Sequence, residues 1–183
     1  MSGRRMHAIR AAAFVAAGLA PMSGAPARAD AVEDAGNILK YAMPIGAAGI
    51  AISKDDEDGL LEMGVSYVGA MGTAYGLKSV VREWRPDHSD RRSFPSDSAT
   101  SAFASAAFLD KRYGWHYGLP AYALASFVAY SRVEADKHHW QDVAAGAAVG
   151  WTFNQLITTH RSGVSVEPLV SLGAISLNLR LRW

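Results

Sequence analysis

Several ionisable side chains lie where apolar segments of the sequence end. Lys78 and Arg85 follow one such segment, and their spacing of seven residues points both to one side if the helix continues that far. Basic residues at a helix C-terminus also complement its dipole and need no ligand. His138 and Asp142 are four residues apart. On a helix this carboxylate can hold one imidazole nitrogen and leave the other free to attack, although such pairs are frequently structural.

A third polar cluster, Phe94–Pro95–Ser96–Asp97–Ser98, leads directly into an apolar segment. A serine in this position is most often a helix N-cap. The free N–H groups of a helix N-terminus also bind anions, so both interpretations remain open for this cluster alone. His139 is expected at a helix start or an interface. A metal site is not predicted, because the sequence places no clear third or fourth ligand beside the His–Asp pair.

Taken together, the three clusters carry a recognisable pattern. Lys-x6-Arg-Pro, then Pro-Ser-x-x, then Ser-Arg-x5-His-x3-Asp, in that order, resembles the superfamily of type-2 phosphatidic acid phosphatases and vanadium haloperoxidases. The resemblance spans about residues 60–158. It implies a helical bundle that gathers the motifs around one phosphate, with no metal or cofactor and with vanadate as a phosphate-mimicking inhibitor.

The resemblance also implies a role for each matching residue. His138 would be the nucleophile that forms a phosphohistidine, and Asp142 would orient it. The phosphoryl oxygens would be held by basic side chains and by the start of a helix, where guanidinium groups suit bidentate binding. These phosphate-binding positions are Lys78, Arg85, Arg132, Ser96 and Ser98.

One motif departs from the family. Its usual form is Pro-Ser-Gly-His, whose histidine protonates the leaving oxygen, and here the last two positions are Asp97 and Ser98. A serine has no pKa near neutrality, and loss of a proton donor costs about 10²–10⁴ in rate. The enzyme then acts on good leaving groups, uses Asp97 as a replacement acid, or binds phosphate without efficient turnover. We rank slow or specialised hydrolysis first, a phosphate or phospholipid-headgroup binder second, and a vanadate-dependent haloperoxidase third.

Apolar segments long enough for helices must position these motifs, and the predicted fold is all-α, with about five core helices. The charged run 54–59 is interpreted as a solvated turn. Leu177, Leu179 and Leu181 alternate with polar residues, which predicts a short C-terminal β-hairpin with residues 164–172 as the partner strand. The predicted helices cover residues 37–53, 60–84, 96–110, 119–133 and 139–158.

The first 29 residues have the features of a secretory signal peptide: a basic start, a short apolar run and an Ala-Arg-Ala site before Asp30. The predicted domains are therefore a signal peptide over 1–29, a helical domain over 30–162 and a hairpin tail over 163–183. Removing the signal takes away four arginines and no acid, which leaves 14 basic and 17 acidic residues, a net charge of −3. An acidic mature chain gives no support to nucleic-acid binding. We expect a bacterial protein exported to the periplasm.

The composition of the chain excludes several classes of functional site and bears on membrane insertion. The absence of cysteine excludes disulfide scaffolds, thiolate nucleophiles and Cys-ligated metal sites. Most uncharged runs are shorter than the roughly 20 residues that span a bilayer, so a soluble or peripheral bundle is favoured and integral insertion stays open. The predicted partner is a phosphorylated small molecule or lipid headgroup, with possible contact to a membrane surface. Substrate and oligomeric state stay open, and His88, His116 and His160 are expected at the surface or in helix contacts.

Overall fold

The structure, a computed structural model, describes the backbone of residues 25–161, 164–171 and 174–181, and side chains within residues 30–161. Five helices form the described bundle, which confirms the predicted all-α class. They are α1 Ala25–Ser53, α2 Glu57–Val80, α3 Asp97–Tyr113, α4 Trp115–Glu134 and α5 Trp140–Ile157.

Helix α1 begins 12 residues before the predicted start at 37. Its first part is rich in alanine, the residue with the highest helix propensity, so the helix continues upstream of the apolar segment. It therefore passes through the predicted processing site before Asp30. Residues 1–24, which hold most of the predicted signal peptide, lie outside the described residues.

Helix α2 starts and stops earlier than the predicted segment 60–84. Asp56 is its N-cap, and the amide of Gly59 donates to Asp56 Oδ1 at 3.1 Å. The interpretation of 54–59 as a solvated turn was wrong for Asp56, which is buried because Arg112 pairs with it. At the other end Val81 is already extended, so the helix does not continue to Arg85 as the seven-residue spacing assumed. The restriction on a residue before proline applies to Arg85, which precedes Pro86, and does not explain why the helix already ends at Val81.

Helix α3 is the centre of the bundle and packs against all four other helices. Its buried face consists largely of alanine and serine, so neighbouring helices approach closely. A Cβ at Gly146 of α5 would overlap the carbonyl oxygen of Ser96. The small residues therefore set the distance between the N-termini of α3 and α5, where two of the three motifs lie.

Two antiparallel strands, β1 Val164–Ser171 and β2 Ala174–Leu181, form the predicted hairpin, in a register that pairs Val164 with Leu181. The packing of the hairpin on the helices stays a prediction, since its side chains are outside the described set.

None of the helices in the described part of the chain is both long enough and apolar enough to cross a membrane.

Candidate active site

The motif residues meet at one end of the bundle, formed by the C-termini of α2 and α4 and the N-termini of α3 and α5. Lys78 lies in the last turn of α2 and is buried. Its Nζ is 3.1 Å from Asp97 Oδ1 and donates to the carbonyl of Arg92 at 2.8 Å. Burial lowers the pKa of Lys78, although the Asp97 carboxylate opposes that shift.

Asp97, in the first turn of α3, is the counter-ion of this lysine. Burial by itself would raise the pKa of Asp97, but the Lys78 ammonium outweighs burial and holds that pKa below its usual value. The carboxylate is therefore ionised at neutral pH, which does not suit a group that must donate a proton.

Arg85 reaches the site from the loop between α2 and α3. Its Nε donates to Asp90 Oδ1 at 2.9 Å and its Nη1 donates to the carbonyl of Lys137 at 3.0 Å. The cation acts electrostatically on the pKa of Lys78, Arg132 and His138 alike. Loop contacts, rather than a helix face shared with Lys78, bring this residue into the cluster.

Arg132 is buried near the C-terminus of α4 and is held by the N-terminal half of α1. Its Nη1 donates to Asn37 Oδ1 at 2.8 Å, its Nη2 to the carbonyl of Glu33 at 2.7 Å, and its Nε to Ser131 Oγ at 3.2 Å. A guanidinium has five N–H donors, so two remain after these three bonds. The side chain is thus fixed while it still offers a pair of donors.

His138 does not share a helix with Asp142, because α5 begins only at Trp140. The pairing across one helical turn, which the spacing of four residues would allow on a helix, therefore does not occur. Asp142 is in the first turn of α5, and its carboxylate turns back toward the residues before the helix, so Oδ2 lies 3.6 Å from His138 Nδ1. Burial, with Lys78 and Arg85, lowers the pKa of His138 to about 4, against the opposing pull of Asp97 and Asp142.

The Asp142 carboxylate is wholly buried and accepts other bonds. Ser93 Oγ donates to its Oδ2 at 2.5 Å, and the amide of His139 donates to the same oxygen at 2.8 Å. Its Oδ1 and the Nδ1 atom of His138 are buried without a hydrogen-bond partner. Two strong polar groups at the centre of the site thus retain unused bonding capacity, which favours a ligand or solvent there.

The Pro-Ser motif begins α3 as its N-cap interpretation predicted. The amide of Ala99 donates to Ser96 Oγ at 3.3 Å, and the amide of Ser96 donates to the carbonyl of Asp142 at 2.9 Å. Ser98 is buried in the first turn of the helix. This places the helix start directly against the His–Asp segment.

Glu83, His139 and Asp142 offer ligand atoms that all lie within 4.8 Å of one another, an arrangement able to hold a cation. His139 Nδ1 is 3.7 Å from Glu83 Oε1 and 3.4 Å from Asp142 Oδ2. His139 Nδ1 is buried without a hydrogen-bond partner among the described residues. The sequence did not predict this cluster, since Glu83 lies far from the other two along the chain.

The structure brings Lys78, Asp97, His138 and Asp142 together with Arg85, Arg132 and the start of α3. His88, His116 and His160 are exposed, as expected. Sequence reasoning missed the residues that hold the motif side chains in place. They are Ser93, Asp90, Glu33 and Asn37, and no local pattern marks them except the proximity of Ser93 to the Pro-Ser motif.

Comparisons with known proteins identify the family and the fold of the chain. Residues 59–162 match the family model described as the PAP2 superfamily. A lipid A 4'-phosphatase of Helicobacter pylori is 32% identical over 140 residues, 70% of this chain and 70% of that protein. A lipid A 1-phosphatase of Porphyromonas gingivalis is 37% identical over 98 residues, 51% of this chain and 21% of that protein.

The crystal structure of Aquifex aeolicus LpxE superimposes with a TM-score of 0.63 at 18% identity, covering 73% of this chain and 87% of that one, which shows a common fold. The family model covers more than half of the chain, and the Helicobacter relative is matched over most of its length. The chain therefore belongs to the PAP2 superfamily and, with its phosphatase relatives, to the phosphoric monoester hydrolases.

Proposed function

We propose that the protein hydrolyses the phosphate monoester of a lipid through a phosphohistidine at His138, without a metal ion. One observation carries the proposal: a buried histidine with a lowered pKa lies beside a carboxylate and among cations. A neutral imidazole is the nucleophilic form, so the lowered pKa favours attack at neutral pH. The names of the two curated relatives support a lipid phosphate as the substrate class.

In the proposed reaction the phosphoryl group binds among Lys78, Arg85 and Arg132. His138 attacks phosphorus through Nε2, because its Nδ1 faces Asp142. The P–N bond forms as the bond from phosphorus to the leaving oxygen breaks, and Asp142 stabilises the charge on the ring. Water then attacks the phosphohistidine and releases phosphate. Charge neutralisation and positioning supply most of the catalysis in phosphoryl transfer.

The leaving oxygen needs a proton, and the usual histidine is absent. The Asp97 carboxylate is ionised by its contact with Lys78, so we assign it as a counter-ion rather than as the acid. We propose that solvent protonates the leaving group. Turnover is then slow on alkyl phosphates and faster on esters with good leaving groups, such as p-nitrophenyl phosphate.

The test is hydrolysis of p-nitrophenyl phosphate and of a lipid phosphate monoester by wild type and His138→Ala, with chelator present. Activity in wild type alone, together with an acid-labile phosphoenzyme trapped by rapid quench, supports the proposal. Equal rates in both proteins would refute it. Chelator also tests the cation cluster at Glu83, because loss of activity on chelation would mean that a bound metal contributes.

Ser98→His tests the missing acid. The variant restores a histidine at the family's position, and we expect hydrolysis of alkyl phosphates to rise by about 10²–10⁴.

The second candidate function, a phosphate or headgroup binder, is favoured by Ser98 alone. It predicts saturable binding of vanadate by calorimetry with no hydrolysis in wild type.

Export to the periplasm remains part of the proposal, tested by fractionation of cells that carry the full-length chain.

A further inference from the structure

An apolar groove of about 200 Å³ runs along the outside of the bundle between α1 and α4. We call it the α1–α4 groove. The described residues that line it are all apolar and include a surface-exposed glycine. Those used below are Leu39, Met43, Gly46 and Ile50 of α1, with Ala121 and Leu124 of α4.

The groove begins at Leu39, about one helical turn along α1 from Gly36, which packs against Arg132, the arginine proposed to bind phosphate. Gly36 lies on the same face of α1 as the groove residues, because positions 36, 39, 43, 46 and 50 are three or four apart. A Cβ at Gly36 would overlap the side chain of Ser131, and Arg132 Nη2 would lie 2.7 Å away. The helical rise of 1.5 Å per residue carries this face about 20 Å from Gly36 to Ile50.

We infer that the α1–α4 groove holds the hydrocarbon chain of the substrate lipid while its phosphate binds at Arg132. The inference rests on the proposed function and adds the place where the lipid part of the substrate lies. The surroundings support a lipid occupant, since Ile38, Ile45 and Leu119, close in sequence to lining residues of the two helices, are 68%, 72% and 64% exposed. Exposed apolar side chains that are grouped in this way mark binding surfaces.

The dimensions and chemistry of the groove select a hydrocarbon chain over a polypeptide. An α-helix is about 10 Å across and does not fit into this volume. An extended peptide would bury N–H and C=O groups that need partners, and the helix walls use their own backbone groups internally. A hydrocarbon chain needs no hydrogen bonds, and burial of each methylene improves binding by roughly two- to four-fold.

Two glycines of α1 provide the matched test. A Cβ at Gly46 or at Gly49 would meet no atom within 4 Å, so each site accepts a larger side chain. Gly46 lines the groove, whereas Gly49 is exposed and outside its lining. The experiment compares wild type, Gly46→Phe and Gly49→Phe on p-nitrophenyl phosphate and on butyl, hexyl, octyl and decyl phosphates below their micellar concentrations.

We expect kcat/KM of wild type to rise at least about ten-fold from butyl to decyl phosphate. Gly46→Phe should abolish that rise and leave p-nitrophenyl phosphate hydrolysis unchanged, while Gly49→Phe should match wild type on every substrate. A chain-length dependence that survives Gly46→Phe would overturn the inference. So would a Gly46→Phe protein that changes only in melting temperature or oligomeric state, because the groove would then hold residues 1–24 or a second copy.

Different experimental results would refute the proposed function and the inference about the groove. Absence of p-nitrophenyl phosphate hydrolysis in wild type would refute the phosphatase proposal. Calorimetry with the same alkyl phosphates would then test the groove by itself. Affinity that grows with chain length in wild type and in Gly49→Phe, but not in Gly46→Phe, would support the groove, and equal affinities in all three proteins would refute it.

Discussion

Two buried arginines at opposite ends of the bundle differ in the charge of their hydrogen-bond partners. Arg112, at the C-terminus of α3, binds Asp56 through Nε and Nη2 at 2.8 and 2.5 Å and reaches Glu62 at 3.3 Å. Arg132, at the C-terminus of α4, has only neutral hydrogen-bond acceptors among the described residues. The first charge is neutralised within the protein, whereas the second remains available to an anion.

The surroundings of each arginine extend this contrast. Tyr113 Oη donates to Asp56 Oδ2 at 2.8 Å, and the Arg112 guanidinium holds the pKa of Asp56 well below its usual value. At the other end the Nδ1 atom of His138 is buried without a hydrogen-bond partner. A satisfied charge network stabilises a fold, whereas unsatisfied groups of this kind are typical of a binding or catalytic site.

The largest effect is expected for the nucleophile. His138→Ala should lower kcat on p-nitrophenyl phosphate by at least about 10³-fold, because the covalent step is lost. The measurement is steady-state kinetics with a thermal melt, and His88→Ala, at an exposed histidine, is the control that should keep full activity.

At the opposite end the effect should appear in stability. Asp56→Ala leaves the Arg112 guanidinium without its main partner, and breaking a buried pair costs about 3–5 kcal/mol. Urea unfolding measures this loss, while kcat of the folded protein should change little. Asp58→Ala removes an exposed carboxylate two residues away, in the first turn of α2, and should cost less than about 1 kcal/mol. A similar loss in both variants would contradict the assignment of Asp56 to the paired end.

Asn37→Asp makes the two arginines alike, because it gives Arg132 a carboxylate partner. We expect the inhibition constant for vanadate to rise about ten-fold, since the anion must then compete for the guanidinium. Asp34→Asn, an exposed change of charge on the same helix, should leave that constant within about two-fold. Unchanged vanadate binding in Asn37→Asp would show that Arg132 does not hold the phosphoryl group.

Asp97→Asn removes the counter-ion of Lys78 and should act in the other direction. The ammonium would then meet an incoming phosphate without competition, so vanadate should bind a few-fold more tightly. Inhibition kinetics at low ionic strength measure the change. Weaker vanadate binding would instead indicate that Asp97 holds Lys78 in position.

A further prediction concerns the pH dependence of stability. The pKa of His138 is lowered to about 4 by burial and nearby cations, while an unfolded histidine titrates near 6.5. Between these values the unfolded chain binds more protons, so stability should rise as pH increases from about 4 to 6.5 and then level off. In His138→Gln this contribution should be absent, which thermal melts across that pH range can test.

Local patterns in the sequence were sufficient for part of the site. The cap at Ser96 is confirmed because it depends on residues within one turn. The helix order and the family also followed from local apolar segments and motif spacing. The spacings of Lys78 with Arg85 and of His138 with Asp142 put each pair on one helix face only if the helix is continuous. Neither helix is, because α2 ends before Val81 and α5 begins only at Trp140, after His138.

The partners that determine the state of each charged group are far apart in the chain. Asn37 and Arg132 are separated by 95 residues, Asp56 and Arg112 by 56, and Ser93 and Asp142 by 49. The sequence by itself determined which residues we propose to carry the chemistry, because their types and spacing are properties of short segments. Only the tertiary structure decided which arginine is paired with a carboxylate and which has only neutral hydrogen-bond acceptors among the described residues. That choice depends on the carboxylates and amides that packing brings within hydrogen-bond distance.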